Sequence, residues 1–156
     1  MTESAQPEKP DAMLLPPAAR SRVALGLTTA AAKGRFELQV CRNCGAVQYP
    51  PREACHRCLG SSLDWTLQDG AGELISETLL FHSHDEFFRP SLPIRLGMVK
   101  LDCGPTAIVY VADAVPALAT TPAAAPASTP APASRVRVTV RLDKAGNAVL
   151  VAMEST

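Results

Sequence analysis

Four cysteines carry the most specific chemistry in the sequence. Cys41 and Cys44 form one C-x2-C pair, Cys55 and Cys58 form a second, and ten residues lie between them. In each pair a tight turn sends both sulfurs the same way, and the glycines that follow, Gly45 and Gly60, permit the unusual backbone angles of such a knuckle. The spacer suffices for a hairpin that folds one knuckle over the other. Four thiolates in a tetrahedron make a closed zinc site with no open position to activate water or polarise a substrate, so one structural zinc ion per chain is expected. A ribbon of about 30 residues has almost no core, and metal binding of about 10–16 kcal/mol in zinc-finger peptides is the scale of help it needs to fold. The rival is a redox iron site of rubredoxin type, but no electron-transfer partner or flavin motif accompanies it. His56, inside the second pair, reads as an exposed knuckle residue.

The remaining chemistry-bearing residues are more scattered. His82, His84 and Asp85 resemble a second metal cluster, since histidines two apart on a strand face the same way, but a catalytic site usually keeps three protein ligands and the simpler reading is a polar loop. In the same loop Phe87, Phe88 and Pro90 either plug a barrel end or grip a partner. Cys103 lies in a tight turn without a base or oxyanion partner and reads as a spare thiol. Tyr49-Pro50-Pro51-Arg52 joins the knuckles, and two prolines hold Arg52 stiffly, either as a surface arginine or for an anion.

These residues need elements to position them. Residues 1–16 are polar and proline-rich, the composition of a disordered tail. Residues 17–35 form a short helix ended by Gly34, although Gly26, Thr28 and Thr29 weaken it. Phe36, Leu38 and Val40 alternate with Glu37 and Gln39 as a half-buried strand that opens a ribbon over residues 36–68. Strand patterns follow at Leu63–Leu67, Glu73–Phe81, Ile94–Leu101 and Thr106–Ala112. Residues 115–134 then contain eight alanines and five prolines, a flexible linker inserted in a domain. Afterwards Val136, Val138, Val140 and Leu142 alternate with Arg135, Arg137, Thr139 and Arg141, and Ala148–Met153 returns as a fifth strand. Three strands, an interruption and two strands make a small five-stranded oligonucleotide/oligosaccharide-binding (OB) barrel over residues 69–156. The fold expected is therefore mainly β: a rubredoxin-like zinc ribbon followed by a five-stranded OB-fold barrel, with a short N-terminal helix.

Bulk properties narrow the function classes. A chain of 156 residues has the length of one domain, the scale of a subunit or accessory. Fifteen basic residues balance fifteen acidic ones, and there are seven aromatics, which argues against a nucleic-acid binder. A single-stranded nucleic-acid-binding OB protein is the alternative that a cluster of Arg42, Arg52, Arg57 and Tyr49 would revive. The sequence shows neither a membrane-length apolar run nor a signal-peptide pattern, and paired cysteines outside a disulfide framework suit the cytoplasm.

The order C-x2-C-G, then P-P-R-x2-C-x2-C, then Trp65, Gly70, Gly72 and the Pro93–Gly104 strand and turn resembles the zinc-ribbon plus OB-fold acyl-CoA-associated proteins. The resemblance runs from about Ala18 to Ala112 and more loosely through the last two strands. It implies a non-catalytic accessory subunit in a hetero-oligomer with a thiolase-like, hydratase-like or aldolase enzyme, thiolase-like first, helping to form or cover an acyl-CoA site. By matching position it also points to Arg52 and Arg35 as places for CoA phosphate contacts.

Overall fold

The computed structural model describes residues 21–113, 115 and 134–155. The expected tail and nearly all of the Ala/Pro linker lie outside the described residues. Within them the chain runs through helix α1 (Leu25–Ala32), then strands β1 (Glu37–Cys41), β2 (Val47–Gln48), β3 (Leu63–Leu67), β4 (Ala71–Leu80), β5 (Ile94–Leu101), β6 (Thr106–Val111), β7 (Ser134–Leu142) and β8 (Ala148–Glu154). Among the described residues no helix is long and apolar enough to cross a membrane.

The helix is shorter than residues 17–35, and Gly26, which weakens it in the sequence, has a packing reason to be there. The Trp65 indole lies against the helix so closely that a Cβ on Gly26 would sit 2.2 Å from Trp65 Cε2. Any side chain at position 26 would have to displace the ring. Leu27 and Ala30 are buried on the same helix, which touches β1, β7 and β8.

Two sheets follow. The first is three-stranded in the order β2-β1-β3, with Gln39 opposite Gln48 on one side and Trp65 on the other. The second is a closed barrel in the order β4-β5-β6-β8-β7. Its pairs are antiparallel except β6 with β8, which run parallel at Tyr110↔Val151 and Val111↔Ala152. That one parallel contact, together with β4 pairing β7 through Ala71↔Arg137, closes the cylinder and leaves no exposed edge. A bulge at Ile75 between Leu74 and Ser76 bends the long first barrel strand.

The period-2 reading of β7 places Val136, Val138 and Val140 inside and Arg135, Arg137 and Arg141 outside, or at its margin. Leu142, at the strand's end, is exposed. With Leu74, Val99, Leu101, Val109, Leu150 and Ala152 these valines form one apolar core. Phe87 in the β4–β5 loop closes one barrel end: it is buried, its carbonyl accepts a hydrogen bond from Lys144 Nζ at 2.5 Å, and that ammonium lies 4.3 Å from the ring centre. The plug reading of the loop therefore holds for Phe87, while Phe88 beside it lines a cavity of about 490 Å³ at that end.

Candidate metal centre and adjoining cleft

The two knuckles fold by one hydrogen-bond pattern. Gly45 N donates to Cys41 O at 2.8 Å and Cys41 N to Ala46 O at 3.0 Å; Leu59 N donates to Cys55 O at 3.0 Å and Cys55 N to Gly60 O at 2.9 Å. In the first knuckle the residue with left-handed backbone is Gly45, at φ 70°. In the second it is Leu59, at φ 61°, and not Gly60. At Gly60 the constraint is close packing: a Cβ there would sit 2.5 Å from Asn43 Nδ2 and 3.4 Å from Cys58 Sγ, so a side chain would have to move the Asn43 amide.

All four sulfurs lie within 4.8 Å of one another, with Cys41 and Cys58 at 3.5 Å and Cys44 and Cys55 at 3.6 Å. A tetrahedral zinc with Zn–S bonds of about 2.3 Å has sulfur–sulfur edges of about 3.8 Å, so the cluster fits one zinc ion. Among the described residues this is the one group of His, Cys, Asp or Glu that could hold a metal. His82 and His84 stack edge to face at 5.2 Å and recruit no third ligand.

Backbone N–H groups of Cys58 and Arg57 aimed at the Cys55 sulfur lower that thiol to about 6. The Gly60 N–H also lowers Cys58, but the neighbouring Cys41 and Cys44 sulfurs outweigh it and push Cys58 up to about 12, since adjacent thiolates repel. A divalent cation removes that repulsion, so metal entry and proton release are coupled.

One part of the centre carries no local signal in the sequence. Gln39, expected to face solvent, is buried with Gln48. Gln48 Nε2 donates to Gln39 Oε1 at 3.0 Å, and that same oxygen accepts the Arg52 backbone N–H at 2.8 Å. Gln48 Oε1 accepts the His56 backbone N–H at 3.0 Å. Two amides thus stitch the hairpin together from inside. Nothing in a strand reading Leu-Gln-Val marks the glutamine as the buried member.

Between this hairpin and the β5–β6 turn lies a cleft of about 500 Å³, walled by Tyr49, Arg52, His56 and Arg57 on the ribbon side and by Cys103–Pro105 on the barrel side. No carboxylate lines it. Arg52 therefore stands at a junction of the two sheets, whereas Arg35 pairs with Glu37 at 2.9 Å. Arg42 is held by both oxygens of Asp64, at 2.5 and 2.8 Å, so the triad Arg42, Arg52, Arg57 that would favour a nucleic acid is not assembled as free cations. Cys103 is half-buried, and burial pushes its thiol up, the opposite of an activated nucleophile.

Comparison with known proteins agrees with this architecture. Residues 28–64 match the rubredoxin-like zinc ribbon domain of ChsH2. Over the whole fold the chain is similar to a chain of the solved Ltp2-ChsH2(DUF35) aldolase, with a TM-score of 0.64 and 19% identity, covering 89% of this chain and 99% of that one. No curated protein matches the sequence.

Proposed function

We propose that this chain, which carries a ChsH2-type zinc ribbon joined to an OB-fold barrel in the manner of the zinc-ribbon plus OB-fold acyl-CoA-associated family, is a non-catalytic accessory subunit of an acyl-CoA-processing enzyme. It works in a hetero-oligomer in the reducing interior of the cell, and a thiolase-like enzyme is the first candidate partner, with hydratase-like and aldolase enzymes next. The observation that carries the reading is the closed four-thiolate centre beside an open basic cleft. The centre has no position left for a substrate atom, so its zinc, bound by Cys41, Cys44, Cys55 and Cys58, supplies shape and no reaction step. The hairpin it holds presents Arg52 on a surface where a partner's ligand can be met. Arg35, exposed beyond its pair with Glu37, is the second candidate for a CoA phosphate.

The chain's own residues do architectural work. Cysteine knuckles fix the hairpin, Gln39 and Gln48 fix Arg52 and His56 relative to it, and Phe87 seals the barrel's far end. Co-purification of the tagged protein from its native cell extract, with mass spectrometry of the bound proteins and metal, tests this. A stoichiometric acyl-CoA enzyme with one zinc per chain is expected; nucleic acid in its place, or thioester turnover by the chain alone, would overturn it.

A further inference from the structure

The two knuckles make the same turn with one difference. Gly45 N donates to Cys41 O and Leu59 N to Cys55 O, and each of these residues, directly after the second cysteine of its pair, has left-handed backbone. Glycine takes that conformation freely, whereas leucine takes it against a clash of its Cβ with the neighbouring backbone. Among the described residues Leu59 is the one residue other than glycine with positive φ. Packing does not offset the cost, because its side chain is 80% exposed, the most open of the large apolar side chains described. The ribbon alone thus gains little from a leucine here. The two tips are also placed differently: Gly45 lines the cleft against the barrel, and Leu59 stands outside that lining. Beside Leu59 is Cys58, the one exposed residue of the four thiols, so the metal centre is least covered on this side. Arg57 is exposed on the same turn and has no ion-pair partner among the described residues, while Arg42 on the first knuckle is already held by Asp64.

We infer that Leu59 is an anchor residue of the subunit interface: its side chain enters an apolar socket on the enzyme this chain accompanies, Arg57 meets a carboxylate at the socket's rim, and the enzyme's surface closes over Cys58. The inference rests on the accessory role proposed above and adds the surface by which that role is exercised. A backbone held in a costly conformation marks a place where the surroundings, and not local preference, dictate the residue. Here the described surroundings make no demand for leucine, so the demand comes from a partner. The knuckle also presents the side chain rigidly, through the Leu59 N to Cys55 O bond and the metal site beneath it, so docking orders little that is not already ordered. Charge selects the occupant. A two-fold contact between two copies at this tip would set Arg57 against Arg57, with no carboxylate between Cys55 and Gly60 to receive either, whereas a different protein with an acidic rim complements it.

The test uses the full zinc-loaded chain and the acyl-CoA enzyme that co-purifies with it, separated and then titrated against each other by calorimetry. Leu59→Gly, which relieves the backbone, and Leu59→Asn, which tolerates the left-handed region but is polar, should each weaken assembly by about 10-fold or more, the scale of one buried leucine, at unchanged zinc content. Leu59→Met keeps an apolar side chain of similar reach and should recover part of the loss. Arg57→Gln should weaken assembly by about threefold, an effect that added salt erases. In the wild-type complex, hydrogen exchange at residues 56–60 and removal of zinc by a chelator should both slow relative to the free chain. The combination of weaker assembly with zinc held at least as tightly in Leu59→Gly separates an interface role from a structural one. Equal affinity of the glycine and asparagine variants, or protection confined to other parts of the chain, would overturn the anchor while leaving the accessory role standing. Self-association of the chain alone that Leu59→Gly abolishes would overturn the enzyme as occupant. If no acyl-CoA enzyme co-purifies, the accessory role fails and the anchor falls with it.

Discussion

The ribbon and the barrel bury different things. In the ribbon the buried side chains are Phe36, Leu38, two thiols and two amides: Cys41, Cys55, Gln39 and Gln48. In the barrel they are aliphatic, among them Leu74, Val99, Leu101, Val109, Val136, Val138 and Leu150. The barrel closes on a hydrophobic core that Leu27, Phe36 and Leu38 extend into the helix and the ribbon, while the ribbon also encloses polar atoms that must be satisfied by a metal and by one another. A module whose interior is a metal and a hydrogen-bond network has a defined shape at small size, which suits a rigid presenting surface; it also has a single point of failure.

Zinc removal should expose that failure with the largest effect. Stripping the ion with a strong chelator, or replacing Cys55 by Ser, removes binding energy on the scale of about 10–16 kcal/mol seen in zinc-finger peptides. Trp65, the only tryptophan, sits on β3 of the ribbon and so reports it directly. Its emission should shift to that of an exposed indole, while the methyl resonances of Val99, Val109 and Val138 stay dispersed. Because the thiols take up protons as the ion leaves, zinc release should also grow steeper as pH falls. Simultaneous collapse of the barrel signals would erase the distinction between the two modules.

The reciprocal change is Leu74→Ala, which opens a cavity in the barrel and should cost about 2–5 kcal/mol in urea unfolding, with one zinc still bound per chain in the folded protein. A smaller and opposite effect is expected at Leu59. This residue holds φ 61° with its side chain 80% exposed, so it bears the steric cost of the left-handed region and little packing is lost on its removal. Leu59→Gly should stabilise the ribbon by about 0.5–1 kcal/mol, read as slower zinc release in a competition assay.

Smallest of all is the Asp102–Arg135 pair on the barrel's surface. The guanidinium holds the Asp102 carboxyl below its ordinary value. A depressed carboxyl contributes stability above its unfolded-state pKa of about 3.9 and loses it as pH drops through the lower folded value. Asp102→Asn should therefore flatten the acid limb of the barrel's unfolding curve slightly, leaving neutral-pH zinc content unchanged; both side chains are exposed and salt should mask the difference.

Much of this contrast was legible in the sequence, in proportion to how local its cause is. The cysteine spacing encodes the knuckles outright, and the valine alternation of β7 encodes which face is buried, because both are set by neighbours a few residues away. What escaped depends on contacts distant along the chain. Gly26 reads as a helix breaker until the Trp65 ring is seen against it. Gln39 reads as a solvent-facing strand residue until Gln48 and Arg52 reach it from across the hairpin. The left-handed residue of the second knuckle is Leu59 and not Gly60, which packs against the Asn43 side chain of the first knuckle. The cleft itself brings positions 52 and 57 to the turn at 103–105, a juxtaposition that only the packed fold creates.

The most direct test of the accessory role is acyl-CoA turnover measured on three samples: the zinc-loaded chain alone, its co-purifying enzyme alone, and the reassembled complex. Turnover absent from the chain, and higher or more tightly coupled to CoA in the complex than in the enzyme alone, is the expected result. Turnover by the chain alone, or an enzyme indifferent to its removal, would contradict it.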